Sequence, residues 1–202
     1  MTGGLGDYND GAMLRYTLEN PDKDISPLDY LWQLDKKWIC EPGACEYYSS
    51  VGMSLLAFAA AQYHNASSWD TFDQFEAFPE GFQHEYFNQT LWMKEGKCSS
   101  IPASEKVTHQ YLFTRGGLWP AQYDTYNDFW DISCLNGWGF GNIAVSSMDI
   151  SKFFYQYLGT ENFISDSMKA KMLNWENGGG TGGFKFTYGL GLMKMGWSVQ
   201  DG

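Results

Sequence analysis

Tyr48, Ser49 and Ser50 place a phenol and two hydroxyls directly ahead of an apolar run, Leu55 to Tyr63. Ser49 or Ser50 can cap a helix begun there by accepting backbone N–H bonds. Tyr48 then sits just outside the helix N-terminus, where the positive end of the dipole favours a developing negative charge. A phenol so placed can take or give a proton. A capped core helix preceded by a packed tyrosine accounts for the same residues without chemistry. His64, His84 and His109 are far apart in sequence. A Ser-His-Asp triad assembles from distant positions, so the sequence does not exclude one. There is no Gly-x-Ser-x-Gly elbow to support it.

Metal and nucleotide chemistry find little support. Asp124, Asp128 and Asp131 lack the glycine and terminal glutamate of a calcium-binding EF-hand loop. No Cys or His pair has the close spacing of a structural zinc site. Gly178 to Gly183 satisfies Gly-x-Gly-x-x-Gly through glycine content alone, with no strand expected before it and no helix after it. The sequence therefore predicts no metal and no cofactor.

Four stretches, taken in order, resemble one family. Met1-Thr2-Gly3-Gly4-Leu5-Gly6-Asp7-Tyr8 looks like the tail of a Leu-Leu-x-His-Thr-Ser-Gly-Leu-x-Asp-Tyr segment. Tyr48-Ser49-Ser50-Val51-Gly52-Met53-Ser54-Leu55-Leu56 is similar to a Tyr-Ser-Asn-x-Gly-Tyr-x-Leu-Leu box. Gly139 to Phe153 is similar to Gly-Gly-Leu-x-Ser-Thr-x-x-Asp-Met-x-x-Phe, and Tyr188-Gly189-Leu190-Gly191-Leu192 to a Tyr-Gly-Leu-Gly-Trp strand. His109-Gln110-Tyr111 looks faintly like its Ala-His-Gly-Tyr. Together they resemble the serine β-lactamase and penicillin-binding protein family, in its class C, D-Ala-D-Ala carboxypeptidase and esterase branch.

That resemblance implies an α+β fold in which a mainly helical part meets an antiparallel sheet. Residues 1–202 would form a partial domain, mainly helical over 1–176 and returning to sheet strands over 184–202. It implies Tyr48 as the catalytic acid/base and Ser50 as a substrate-binding residue. It also implies an acyl-enzyme mechanism on a small-molecule or peptide-like amide, lactam or ester. Two departures limit this. The family's nucleophile lies in a Ser-x-x-Lys box, and no Ser-x-x-Lys occurs in the 202 residues; Ser165 and Lys169 are one residue too far apart. The Lys-Thr-Gly or His-x-Gly box should follow the Gly-Leu-Gly strand and is also absent; Thr181-Gly182 precedes that strand. Ser50 moreover stands where the box has Asn, and a hydroxyl has fewer donor and acceptor sites than an amide. The expectation is an internal fragment, inactive alone, with a non-catalytic peptide-, lipid- or sugar-binding relative as the alternative.

A net charge of -11 opposes nucleic acid and anionic membrane surfaces. No apolar run is long enough to span a bilayer. The first residues show no basic segment followed by an apolar one, so no signal peptide is visible. Cys40 and Cys45 bracket Glu41-Pro42-Gly43-Ala44, a turn sequence suited to a small disulfide loop, with Cys98 and Cys134 left as the second pair. Four buried free thiols are the rival reading. Asn65-Ala66-Ser67 and Asn88-Gln89-Thr90 are N-glycosylation sequons. These features together favour a secreted protein or a secretory lumen.

The elements expected to position these groups are read as follows. Residues 1–26 read mostly as loop, with a short helical turn at Met13–Tyr16. Ser26-Pro27 opens a helix over 27–36. Residues 51–63 form a helix with little polar face, expected to be deeply buried. A second helix follows over 68–78. Residues 82–137 are aromatic-rich long loops packing over the core, with a strand within 107–114; aromatics beside carboxylates also suit sugar binding. Ser147 caps a helix over 147–158, and Ser165 opens another to Asn174. Residues 177–183 are a glycine loop, and 184–188 and 190–199 are strands.

Overall fold

The computed structural model describes residues 3–34, 37–45, 47–92, 97–102, 105, 107–114, 125–130, 132, 138–141, 143–175, 177–179 and 184–197. It mixes helices with small antiparallel sheets, as an α+β reading requires.

The chain opens with a ten-residue helix, α1 (Asp10–Glu19), where the sequence predicted loop with a single helical turn. The Asn9 side chain caps it by accepting from Ala12 N at 2.8 Å. Met13 and Thr17, four residues apart, turn inward and are buried. The Gly-Asp-Asn content that read as loop is here the cap and first turn. Helix α2 (Pro27–Trp32) is shorter than the predicted 27–36. It opens on a capping box in which Ser26 and Asp29 bond each other's backbone N–H. Met13, Ile25, Tyr30 and Val51 form one buried core, lined by Tyr8, Leu34 and Phe140.

Helix α3 (Ser50–Tyr63) falls where predicted, but it is not deeply buried. Leu55 is 42%, Leu56 65% and Tyr63 83% exposed. Its inner face, Val51, Ser54 and Ala61, does the packing. Ala61 joins Phe72 and Trp138 in a second core, where the Trp138 ring lies 5.3 Å from those of Phe58 and Trp69. The predicted helix at 68–78 is instead two short 3-10 turns, Trp69–Thr71 and Gln74–Ala77. Phe72 between them is extended, which carries its ring into that core.

Helix α4 (Phe82–Tyr86) and strand β1 (Thr90–Leu91) lie in the stretch expected to be loop. Strands β2 (Tyr111–Thr114) and β3 (Thr125–Asp128) pair antiparallel, with Tyr111 opposite Asp128 and Phe113 opposite Tyr126. Strand β4 (Ala144–Val145) pairs with β1. Helix α5 (Ser147–Gly159) is capped by Ser146 rather than Ser147; the Ser146 hydroxyl accepts from Asp149 N at 3.1 Å. Aromatic rings of Phe78, Phe82, Phe87, Phe153 and Phe163 stack between α4 and α5. Helix α6 (Asp166–Met172) follows, capped by Ser165. Met168 and Leu173 on it are 42% and 39% exposed.

Strands β5 (Asn177–Gly179), β6 (Phe184–Tyr188) and β7 (Met193–Trp197) form an antiparallel sheet in that order. The first of these corrects the loop reading over 177–179, where Gly178 and Gly179 pair in register with Thr187 and Phe186; residues 180–183 of that reading lie outside the described residues. The last strand begins at Met193 because Leu190 turns back and donates its N–H to Met172 O.

The α2 capping box gives a pH prediction. Burial alone would raise the Asp29 carboxyl. Hydrogen bonds from Lys23 and from Ser26 outweigh it and hold the group below the ordinary carboxylate value. A depressed carboxyl stabilises the fold above its unfolded pKa, near 3.9, and that contribution is lost as pH falls through the folded value. Asp29→Asn should therefore lower stability by about 1 kcal/mol at neutral pH and less below about pH 4. Denaturant midpoints measured across the acid range check both the size and the sign.

Candidate functional site

Three of the sequence stretches singled out above meet at the N-terminal half of α3. Ser49 is the N-cap: its Oγ accepts from Gly52 N at 2.9 Å and donates to Gly6 O at 2.9 Å. Asp7 supplies a second cap, its Oδ1 accepting from Val51 N at 3.2 Å and from Tyr8 N at 3.0 Å. Two of the four otherwise unpaired N–H groups of α3 are thus satisfied, one of them by a carboxylate drawn from 44 residues upstream. The Trp138–Phe140 turn lies along the same helix, with Ser54 Oγ donating to Trp138 O at 3.4 Å. Gly139, at φ +78°, is close enough that a Cβ there would meet Ala57 Cβ at 2.7 Å. Tyr8, Tyr30 and Phe140 close the underside as an aromatic cluster, with ring centroids 4.7, 5.2 and 6.0 Å apart.

On this mount Tyr48 is 57% exposed, so its phenol is open to solvent. Ser50, the first residue of the helix, is buried at 5% exposure. The two sequence-predicted site residues therefore share one helix end, but only the tyrosine presents a surface. The fourth stretch joins them through Tyr188, at the end of β6. Burial pushes its hydroxyl up, and the electrostatic influence of Tyr48 adds to the shift. The positive end of α3 is already met by Asp7.

Sequence reasoning missed Asp7 as a cap. Its signal was its place in the Gly-Leu-x-Asp-Tyr match, which names the residue without its partner. Ser49→Ala should lower stability by about 1–2 kcal/mol, because a buried cap hydroxyl with two partners is removed. A shift in urea midpoint at unchanged slope measures it.

Other candidates lie elsewhere. His109 Nδ1 lies 2.9 Å from Asp128 Oδ2 on the β2–β3 hairpin, and its ring stacks on Trp130 at 4.2 Å. The His109 bond, with help from Trp130 N–H, holds the exposed Asp128 carboxyl below its ordinary value. His64 stacks on Phe72 at the far end of α3, and His84 is in α4. Asp124 and Asp131 fall outside the described residues. Among the described residues, no group of three His, Cys, Asp or Glu side chains is placed to hold a metal ion. No helix among them is long and apolar enough to cross a membrane. Cys40 and Cys45 form a disulfide; Cys98 is also disulfide-bonded, and Cys134 falls outside the described residues.

No protein-family model matches the chain, and no curated protein sequence does. Among solved structures, the D-amino acid amidase from Ochrobactrum anthropi SV3, solved with D-phenylalanine, superposes with a TM-score of 0.64 over 98% of this chain at 16% identity. The fold is of the β-lactamase and penicillin-binding protein type. At that identity the likeness speaks for the fold alone. The chain spans about half of the amidase, 53% of its length.

Proposed function

We propose that these 202 residues are the tyrosine-bearing part of a serine hydrolase that cleaves an amide, lactam or ester bond through an acyl-enzyme. The observation that carries the reading is the convergence of the matched stretches on one helix end, with Tyr48 exposed there and Tyr188 beside it. The amidase likeness supports it, since the superposed fold belongs to an enzyme that cleaves an amide. In this reading a serine from a Ser-x-x-Lys box attacks the carbonyl, and Tyr48 shares proton transfer with the lysine. Ser50 backs the site from within the helix. The Cys40–Cys45 disulfide supports folding in an oxidising, secretory compartment.

The reading is tested by sequencing the transcript through the codons that flank Met1 and Gly202. A Ser-x-x-Lys box upstream and a Lys-Thr-Gly or His-x-Gly box downstream, in frame, are expected. Their absence would leave the phenol with no nucleophile to serve. It would favour the second reading, a non-catalytic binding module, which Ser50 in place of the box asparagine already favours. The 202-residue chain alone should show no burst and no turnover with a chromogenic β-lactam or a short-chain ester. Stoichiometric acylation of that chain would mean that another nucleophile operates.

A further inference from the structure

We propose that Asn65 is an N-glycan acceptor whose first sugar ring packs against Tyr63. The inference rests on the secretory-compartment reading above. Its structural basis is the way α3 ends. His64 is the C-cap, and Asn65 takes the left-handed conformation at φ +58°. Asn65 N–H donates to Gln62 O at 3.1 Å and Ala66 N–H to Ala61 O at 3.0 Å, the two bonds of a Schellman motif. Ala66 then packs beneath, against the core around Ala61.

This turn fixes the Asn65 side chain outside the body of the protein. Asn65 and Ser67 are exposed, and the Ser67 hydroxyl shares a bond with the exposed Thr71 hydroxyl at 3.2 Å. The second sequon is different. Asn88 is exposed, but the Thr90 hydroxyl is buried and donates to Asp149 Oδ2 at 2.9 Å. The fold thus buries the sequon hydroxyl beside Asn88 and leaves the one beside Asn65 exposed.

Tyr63 supplies the second observation. It lies two residues before Asn65 and is 83% exposed, its ring touching the His64 ring edge-on at 5.4 Å. An exposed aromatic face offers the apolar side of a pyranose ring a stacking surface. The acceptor is also clear of the proposed site. Helix α3 has 14 residues, so its two ends are about 20 Å apart.

The test is secretion of the 202-residue chain from a eukaryotic host behind an appended leader peptide. Peptide mass spectrometry after glycosidase release of N-glycans should read Asn65 as aspartate. Asn65→Gly, which suits the left-handed turn, and Ser67→Ala, which leaves Asn65 in place, should each abolish that glycan. Both readouts are independent of stability. The glycosylated chain should melt about 2–4 °C higher than the enzymatically deglycosylated one, and Tyr63→Ala should remove that difference. An unmodified Asn65 on a secreted chain with an intact Cys40–Cys45 disulfide overturns the site alone. An unmodified Asn65 with both thiols free overturns the compartment reading with it. A glycan whose stabilising effect survives Tyr63→Ala overturns the stacking.

Discussion

Asp149→Ala is expected to destabilise the fold by about 3 kcal/mol, read as a fall in urea midpoint followed by far-ultraviolet circular dichroism. Asp149 sits in the first turn of α5 at 1% exposure. Its Oδ2 accepts from Gln89 N at 2.7 Å and from the Thr90 hydroxyl at 2.9 Å. Those two residues lead into β1, and Ser146 N–H returns the connection by donating to Gln89 O at 3.2 Å. One carboxylate thus ties β1 to the start of α5. Removing it breaks two charge-assisted bonds and leaves a buried hydroxyl unpaired, each loss being of order 1–3 kcal/mol. Thr90→Val should cost only about 1 kcal/mol, because it removes a donor and leaves no buried group stranded. The double mutant should show a coupling of about 1 kcal/mol or more. Additive losses would mean that the two side chains do not share a bond.

How legible this was in the sequence varied with the range of the interaction. The resemblance placed Asp149 in its motif and Tyr48 in another, and it fixed the fold type that the amidase superposition supports. It said nothing of what either residue touches. Local rules did well where one segment contains its own explanation. Ser26-Pro27 opened a helix, and Cys40 and Cys45 closed a loop across Pro42-Gly43. They failed where the partner is distant. Helix α1 was hidden because its inward residues, Met13 and Thr17, are set apart only by the core formed with Ile25, Tyr30 and Val51. The apolar character of α3 predicted burial on all sides, yet Leu56 and Tyr63 face outward. Hydropathy counts apolar residues; it does not say which neighbours are present to cover them. The glycine-rich β5 was read as loop because its pairing energy comes from the backbone ladder with β6, not from its own side chains.

The second large effect is expected at Gly4. Gly4→Ala should lower stability by about 3–4 kcal/mol. Gly4 is buried at φ +70°, a conformation that costs an L-residue about 1–2 kcal/mol. A Cβ there would also overlap the carbonyl oxygen of Cys40, and backbone held next to a disulfide cannot move aside as a flexible side chain can. The contact matters because it sets the path of the next residues. Ile39 N–H donates to Gly4 O at 2.8 Å, and Gly6 N–H to Lys37 O at 3.3 Å. The same segment then delivers Gly6 O to the Ser49 hydroxyl and the Asp7 carboxylate to Val51 N–H. Displacing Gly4 should therefore loosen the cap of α3 and the mount of Tyr48 with it. The control is one residue away: a Cβ on Gly3 meets nothing within 4 Å, so Gly3→Ala should change stability by less than about 0.5 kcal/mol. The connection to the cap is read by adding Ser49→Ala. Its cost should be smaller in the Gly4→Ala background than in the parent chain, because the bond to Gly6 O is already weakened there. Equal costs in the two backgrounds would show that Gly4 stabilises the disulfide loop without positioning the helix end that carries Tyr48.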